Sequence, residues 1–423
     1  QTAHQLRRFF GFRKIMIADQ RPMNAVMRKQ DLGMAGVFAG DPVDAFEDLG
    51  GPGGKIAEKI PVIPDPGDFN AFETSTAGGS ITGRIYTKLV GTNFSLDVVA
   101  ILSGAQHATF TNTVQVDLVT GSTGCLNCLG TPVTIAGTTQ NVNLTNGRGT
   151  TGNFNVANAY RDVRVRVRYT VASPTVTSCS TDNFSIRPTG FTVTSTNATQ
   201  TDTSGTPAIK TGANFNLTAA SVAGYDGTPS VDNTKVVGTP TAGTIGGSFS
   251  AAPVGTGTAT GASFFYSEVG NFGLNADAVR DTGFTSVDQA GGDCVASSTS
   301  NTLSGGQYGC WVGGTAVPQT LGVSGFGRFI PDNFDVSYNT PVFGTACGTF
   351  SYVGSTFAYT LAPVITVTAR NGTNNGLTNA TTTNYAGAYM KFSNVAGTSL
   401  NQAPYNTQGG RYSRFDALGG GTT

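Results

Sequence analysis

The feature that most constrains this chain is an internal repetition. An alternating strand-like phrase, Asn93-Phe94-Ser95-Leu96-Asp97-Val98-Val99-Ala100, returns as Asn214-Phe215-Asn216-Leu217-Thr218-Ala219-Ala220. It returns again, stretched, as Thr356-Phe357-Ala358-Tyr359-Thr360-Leu361-Ala362 running into Val364-Ile365-Thr366-Val367-Thr368-Ala369. A second phrase recurs beside it: Asp182-Asn183-Phe184-Ser185-Ile186-Arg187-Pro188 resembles the stretch from Arg328 to Val336. Copies roughly 120 to 145 residues apart are too widely spaced for a solenoid and suit whole β-sandwich domains. The expected fold is all-β: tandem immunoglobulin-like β-sandwich domains, with a short helix-prone N-terminal segment. Strings of such domains mostly hold something at a distance.

Composition agrees with strands and turns. Only 12 % of the 423 residues are charged, while 58 are glycine, which leaves little material for exposed helix faces. Thr-, Val- and Phe-rich runs broken by Gly, Asn and Pro are the vocabulary of strands and their connections. The formal net charge is zero, so the bulk electrostatics suggest no nucleic-acid partner. No stretch approaches the roughly 20 apolar residues of a membrane span.

Residues 1–66 stand apart. They hold 9 of the 25 Lys and Arg, and four of the five methionines, Met16, Met23, Met27 and Met34. They read as a helix-prone linker of unclear role without the apolar core of a secretory signal. Gly50-Gly51-Pro52-Gly53-Gly54 and the Pro-rich run from Pro61 then mark a hinge. Beyond it the expected units are 68–188, 189–330 and 331–423, the last with too few strands for a complete sandwich.

Six cysteines follow the hinge. An even count in a Thr- and Asn-rich β chain favours an oxidising compartment. Cys294 and Cys310 bracket Gly-rich turns within one unit and are expected to form a disulfide. Cys179 is expected to join Cys125 or Cys128, leaving Cys347 without an assigned partner. Cys125-Leu-Asn-Cys128 could alternatively hold zinc, but the chain has only His4 and His107 as imidazole ligands. No cofactor or metal is expected.

Two possible ligand surfaces emerge. In Tyr160–Tyr169, Val163, Val165 and Val167 alternate with Arg164, Arg166 and Arg168, an arginine row expected to face outward. It could bind an anionic glycan or nucleic acid, but no aromatic residues interleave to stack bases, and a solvated outer face is the plainer reading. Trp311, the only tryptophan, is either a sugar platform or packing against the disulfide. Tyr225-Asp226-Gly227 with Asp232 reads as a turn rather than a calcium loop. His107 has no flanking nucleophile elbow, and the chain is expected not to be an enzyme.

Several phrases resemble the large conserved region of the MshQ family, which is named for biogenesis of the mannose-sensitive haemagglutinin (MSHA) type IV pilus. They are Asp68-Phe69-Asn70-Ala71-Phe72-Glu73-Thr74, Gly83-Arg84-Ile85-Tyr86-Thr87-Lys88, Phe94 to Ala100 and Tyr160 to Val165. Gly325-Phe326-Gly327-Arg328-Phe329-Ile330-Pro331-Asp332 and Phe343-Gly344-Thr345-Ala346-Cys347-Gly348 continue them in order. The likeness covers about residues 68–400. It implies an extracellular or cell-surface location reached through the periplasm, and other pilus components, pilins or minor pilins, as partners. A surface glycan is a further candidate partner. The expected role is structural or adhesive, with a carbohydrate-binding module or accessory region of a secreted hydrolase as the alternative.

Overall fold

A computed structural model describes residues 63–121, 132–172, 174–345, 349–350 and 359–391. The helix-prone reading of the N-terminal segment therefore lies outside the described residues, apart from an irregular stretch at 63–66. Cys125, Cys128 and Cys347 lie outside them too.

The described chain is all-β. Its one α-helix among the described residues is the short Ser286–Gly291. The first sandwich sets one sheet, Asp68–Glu73, Leu96–Leu102, Ala105–Gln106 and Arg148–Thr150, against a larger one centred on Asn112–Thr120 and Tyr160–Tyr169. Those two central strands run antiparallel with Val116 opposite Val167 and Leu118 opposite Val165. Alternation sends Val163, Val165 and Val167 inward to meet Leu96, Val98 and Phe184 in one core.

The second sandwich repeats this pairing. Phe215–Ala220 pairs with Thr192–Thr194 and Thr258–Tyr266, as Leu96–Leu102 pairs with Asp68–Glu73 and Arg148–Thr150. The recurrent second phrase also has a structural meaning. Ile186 and Arg187 take Lys88 and Leu89 as parallel partners, and Phe329 and Ile330 take Ile209 and Lys210 in the same way. The second core is aromatic, with Phe215, Phe264, Tyr266, Phe272 and Phe329 in mutual ring contact. Buried Tyr266 accepts from the Gly243 N–H at 2.8 Å, which gives its hydroxyl a backbone partner inside the aromatic core.

In the third region Asn333–Tyr338 pairs antiparallel with Ile365–Arg370 over six residues, and Val342–Phe343 pairs with Tyr359–Leu361. These strands alternate like the others, yet Val336, Tyr338, Leu361 and Ile365 are all exposed.

Candidate functional site

The sequence-derived ligand surfaces are largely occupied by the protein itself. Asp117 lies opposite Arg166 on the neighbouring strand. Its carboxylate receives Arg166 Nε at 2.9 Å and Nη2 at 2.6 Å, with Arg168 Nη2 at 3.0 Å. Arg164 is buried and donates to the carbonyls of Ser180 and Thr181, and burial lowers its pKa. The arginine row is thus a set of internal ties and not an open, solvated stripe. Trp311 is half-buried, and the Arg280 guanidinium lies 5.1 Å from its ring centre while pairing with Asp232 at 2.8 Å. That cation covers the ring as a cation–π partner. Asp226 is held by Arg161. No cluster suited to a metal ion occurs among the described residues.

The cysteines divide. Cys294 and Cys310 form a disulfide. Cys179 is disulfide-bonded as well, to a partner outside the described residues. His107 is buried, with its ring nitrogens against the Pro64 carbonyl at 2.7 Å and the Thr109 hydroxyl at 3.3 Å. Both are committed to structural contacts.

The densest buried polar chemistry sits where the sandwiches meet. Arg187, fully buried, ends the first sandwich and reaches into the second. It donates through Nε to Gly309 O at 2.7 Å, through Nη2 to Ser300 O at 2.7 Å and through Nη1 to Pro188 O at 2.8 Å. Burial lowers its pKa to about 10, so it remains charged at neutral pH. Asp288, on the single described α-helix, points the other way. Its carboxyl group meets the Thr87 hydroxyl and the Ser185 N–H, the latter at 3.0 and 3.1 Å. Burial pushes its pKa up to about 8 against the opposing pull of these hydrogen bonds, because no cation offsets the lost hydration.

Backbone geometry completes this seam. Ala159 N–H donates to Ala223 O at 2.9 Å. Gly224 adopts φ +87°, and a Cβ there would collide with the Ala159 carbonyl, so glycine is required by both conformation and space. Arg161 adds a cation–π contact 4.8 Å from the Phe284 ring. The disulfide serves the same junction. Within the excursion between Val279–Asp281 and Val312–Gly313 it closes the loop that carries Ser300 and Gly309, with Asp288 just ahead of it, and Thr285 Oγ1 donates to Cys310 O at 2.6 Å.

A second seam joins the second sandwich to the third region. Glu268, nearly buried, accepts from Thr383 N and Oγ1 at 3.1 Å, from Asn384 N at 3.2 Å and from Val269 N at 2.8 Å. Asn371 Nδ2 donates to Ser267 O at 3.3 Å, and Asn375 Nδ2 to Gly212 O at 2.8 Å. Sequence reasoning did not single out Arg187, Asp288, Glu268 or Gly224. Arg187 left one visible signal: a charge inside the apolar phrase Phe184-Ser-Ile-Arg, where the corresponding strand of the second sandwich has Ile330.

Residues 311–419 match the model of a family described as DUF6701, third domain. The match takes in Trp311, the Phe326–Ile330 strand and the whole described third region. A search of curated proteins finds no match. Among solved structures, the native conformation of E. coli alpha-2-macroglobulin aligns at 12 % identity with a TM-score of 0.16. That alignment covers 72 % of this chain and 21 % of the other, and at this score it carries no argument. The chain therefore carries a DUF6701 domain on an all-β framework.

Proposed function

We propose that this chain is an MshQ-like, secreted structural component of an MSHA-type type IV pilus system, working as a rigid spacer at the cell surface. The observation that supports a mechanical role is the buried lock of Arg187 and Asp288. A flexible tether needs no buried charge at its joints, since burying such groups is costly unless every donor and acceptor is matched. Here Gly309 and Ser300 of the second sandwich hold Arg187 of the first, while Thr87 and Ser185 of the first hold Asp288 of the second, so a hinge motion would strand a guanidinium, a buried acid and bare carbonyls. The structural disulfide and the lack of a helix long and apolar enough to cross a membrane among the described residues fit an extracellular or periplasmic setting. The DUF6701 match fits the MshQ-like reading, and the proposal assigns the chain no catalysis.

Cells lacking the chain are expected to lose pilus-dependent attachment, regain it with the wild-type gene and regain only part of it with Arg187→Met. Unchanged attachment and unchanged pili in the deletion strain would contradict the proposal.

A further inference from the structure

A cavity of about 270 Å³ opens between the second sandwich and the third region. Its walls are apolar and aromatic: Ile330, Pro331, Phe334, Tyr385 and Tyr389 line it, and two cations, Arg328 and Lys391, stand in its wall. The Phe334 and Tyr385 rings meet edge to face at 5.3 Å.

The charges are unusual for this protein. Ten of the fourteen described lysines and arginines are paired with a carboxylate within 4.0 Å. Of the other four, Arg164 and Arg187 are buried among carbonyls. The remaining two, Arg328 and Lys391, retain solvent access and line this one cavity. Arg328 is also held still. Nη1 donates to Thr203 O at 3.0 Å and Nη2 to Gly205 O at 2.7 Å, while its buried Nε has no acceptor. Lys391 Nζ donates to Ala388 O at 2.6 Å, which leaves two of its three N–H bonds.

We propose that this cavity captures the C-terminal residue of a polypeptide, taking an apolar side chain among the rings and the free carboxylate between Arg328 and Lys391. An anchored guanidinium whose Nη1 and Nη2 each keep a second N–H, beside apolar walls, is suited to an anion, because charge-assisted hydrogen bonds strengthen where water is scarce. Size and lining select among anions. A site lined by benzene-scale apolar space holds one ring or one branched side chain rather than an oligosaccharide. Sugar hydroxyls need several free polar partners. Here the Tyr389 hydroxyl already accepts from Asn271 Nδ2 at 3.2 Å, the Tyr385 hydroxyl accepts from Lys391 N at 3.1 Å and the Thr203 hydroxyl donates to Asp202 Oδ1 at 3.4 Å, so each hydroxyl of the wall already has a partner. Capture of a terminal carboxylate is an established mode of peptide recognition. The inference does not depend on the pilus reading.

The test is a titration of the full chain with N-acetyl-phenylalanine, its C-terminal amide and glucuronic acid, followed by NMR or calorimetry. Saturable binding of the free acid is expected, with the amide about tenfold weaker, a loss on the scale of one charge-assisted contact. Lys391→Gln, on an exposed side chain that leaves the fold intact, should weaken the acid about tenfold and leave the amide unchanged; Arg328→Gln should weaken it further. Equal binding of acid and amide, no saturable binding, or preferential binding of glucuronic acid would each overturn the proposal.

Discussion

The second sandwich is joined to its neighbours by two different chemistries. Toward the first sandwich it offers carbonyls to a buried guanidinium and a buried acid to neutral donors, clamped by a disulfide. Toward the third region it offers one carboxylate, Glu268, to backbone and hydroxyl donors, and leaves a cavity beside that contact. The first seam is closed, with a buried guanidinium and a buried acid each held by the opposite sandwich, which suits a joint that must not move. The second is lighter, and beside it stand two cations that pair with no carboxylate among the described residues, which suits a joint that also binds. A buried charge costs most when one partner is removed, so the two seams should respond differently to single substitutions.

The largest effect is expected for Arg187→Met. It fills the space but leaves Gly309, Ser300 and Pro188 carbonyls without their donor. Denaturant unfolding of the full chain should show a loss of about 3–5 kcal/mol. A loss below about 1 kcal/mol would mean that water replaces the guanidinium and that the seam is not closed.

Asp288→Asn sharpens the comparison through pH. The folded pKa of Asp288 is raised from 3.8 to about 8, so the folded state holds a proton that the unfolded chain releases. Its contribution to stability is full below about pH 4, declines as pH rises toward 8 and is flat above that. The Asn variant lacks this slope and should match wild type most closely at low pH and exceed it at pH 9. Parallel stability curves from pH 4 to 9 would refute the buried-acid account.

At the lighter seam, Glu268→Gln keeps the shape but weakens several charge-assisted hydrogen bonds. A local loss of about 1–2 kcal/mol is expected, read as faster amide exchange at Thr383 and Asn384 with no change at Ser185. Equal acceleration at both seams would show that they open together.

The smallest effect should come from Val336→Ser. Val336 is 61 % exposed, so its removal should alter global stability by no more than about 0.5 kcal/mol. Val165→Ala, in the first core, should cost about 2–4 kcal/mol. A large effect at Val336 would indicate that this face is covered in solution.

These contrasts mark what the sequence can convey. Alternation in Val163 to Val167 placed a strand and its core face correctly, because a half-buried strand has a period of two. The spacing of Cys294 and Cys310 conveyed a disulfide, because ring closure within one unit is a local matter. The same alternation predicts burial for Val336 and Ile365, which are exposed: a period names a face but not what covers it. The arginine row failed for a related reason. Asp117 was visible as a residue, but the register that sets it opposite Arg166 was not. Arg187 and Ser300 are 113 positions apart, and no local pattern records such a pairing.

The central claim is that the first two sandwiches form one rigid body. It is tested most directly by pulsed electron-spin distance measurement between labels carried by unnatural amino acids at two exposed positions, Asn143 in the first sandwich and Thr260 in the second. The account predicts a single narrow distance distribution that broadens in Arg187→Met. A broad distribution in the wild-type chain, unchanged by the substitution, would contradict it.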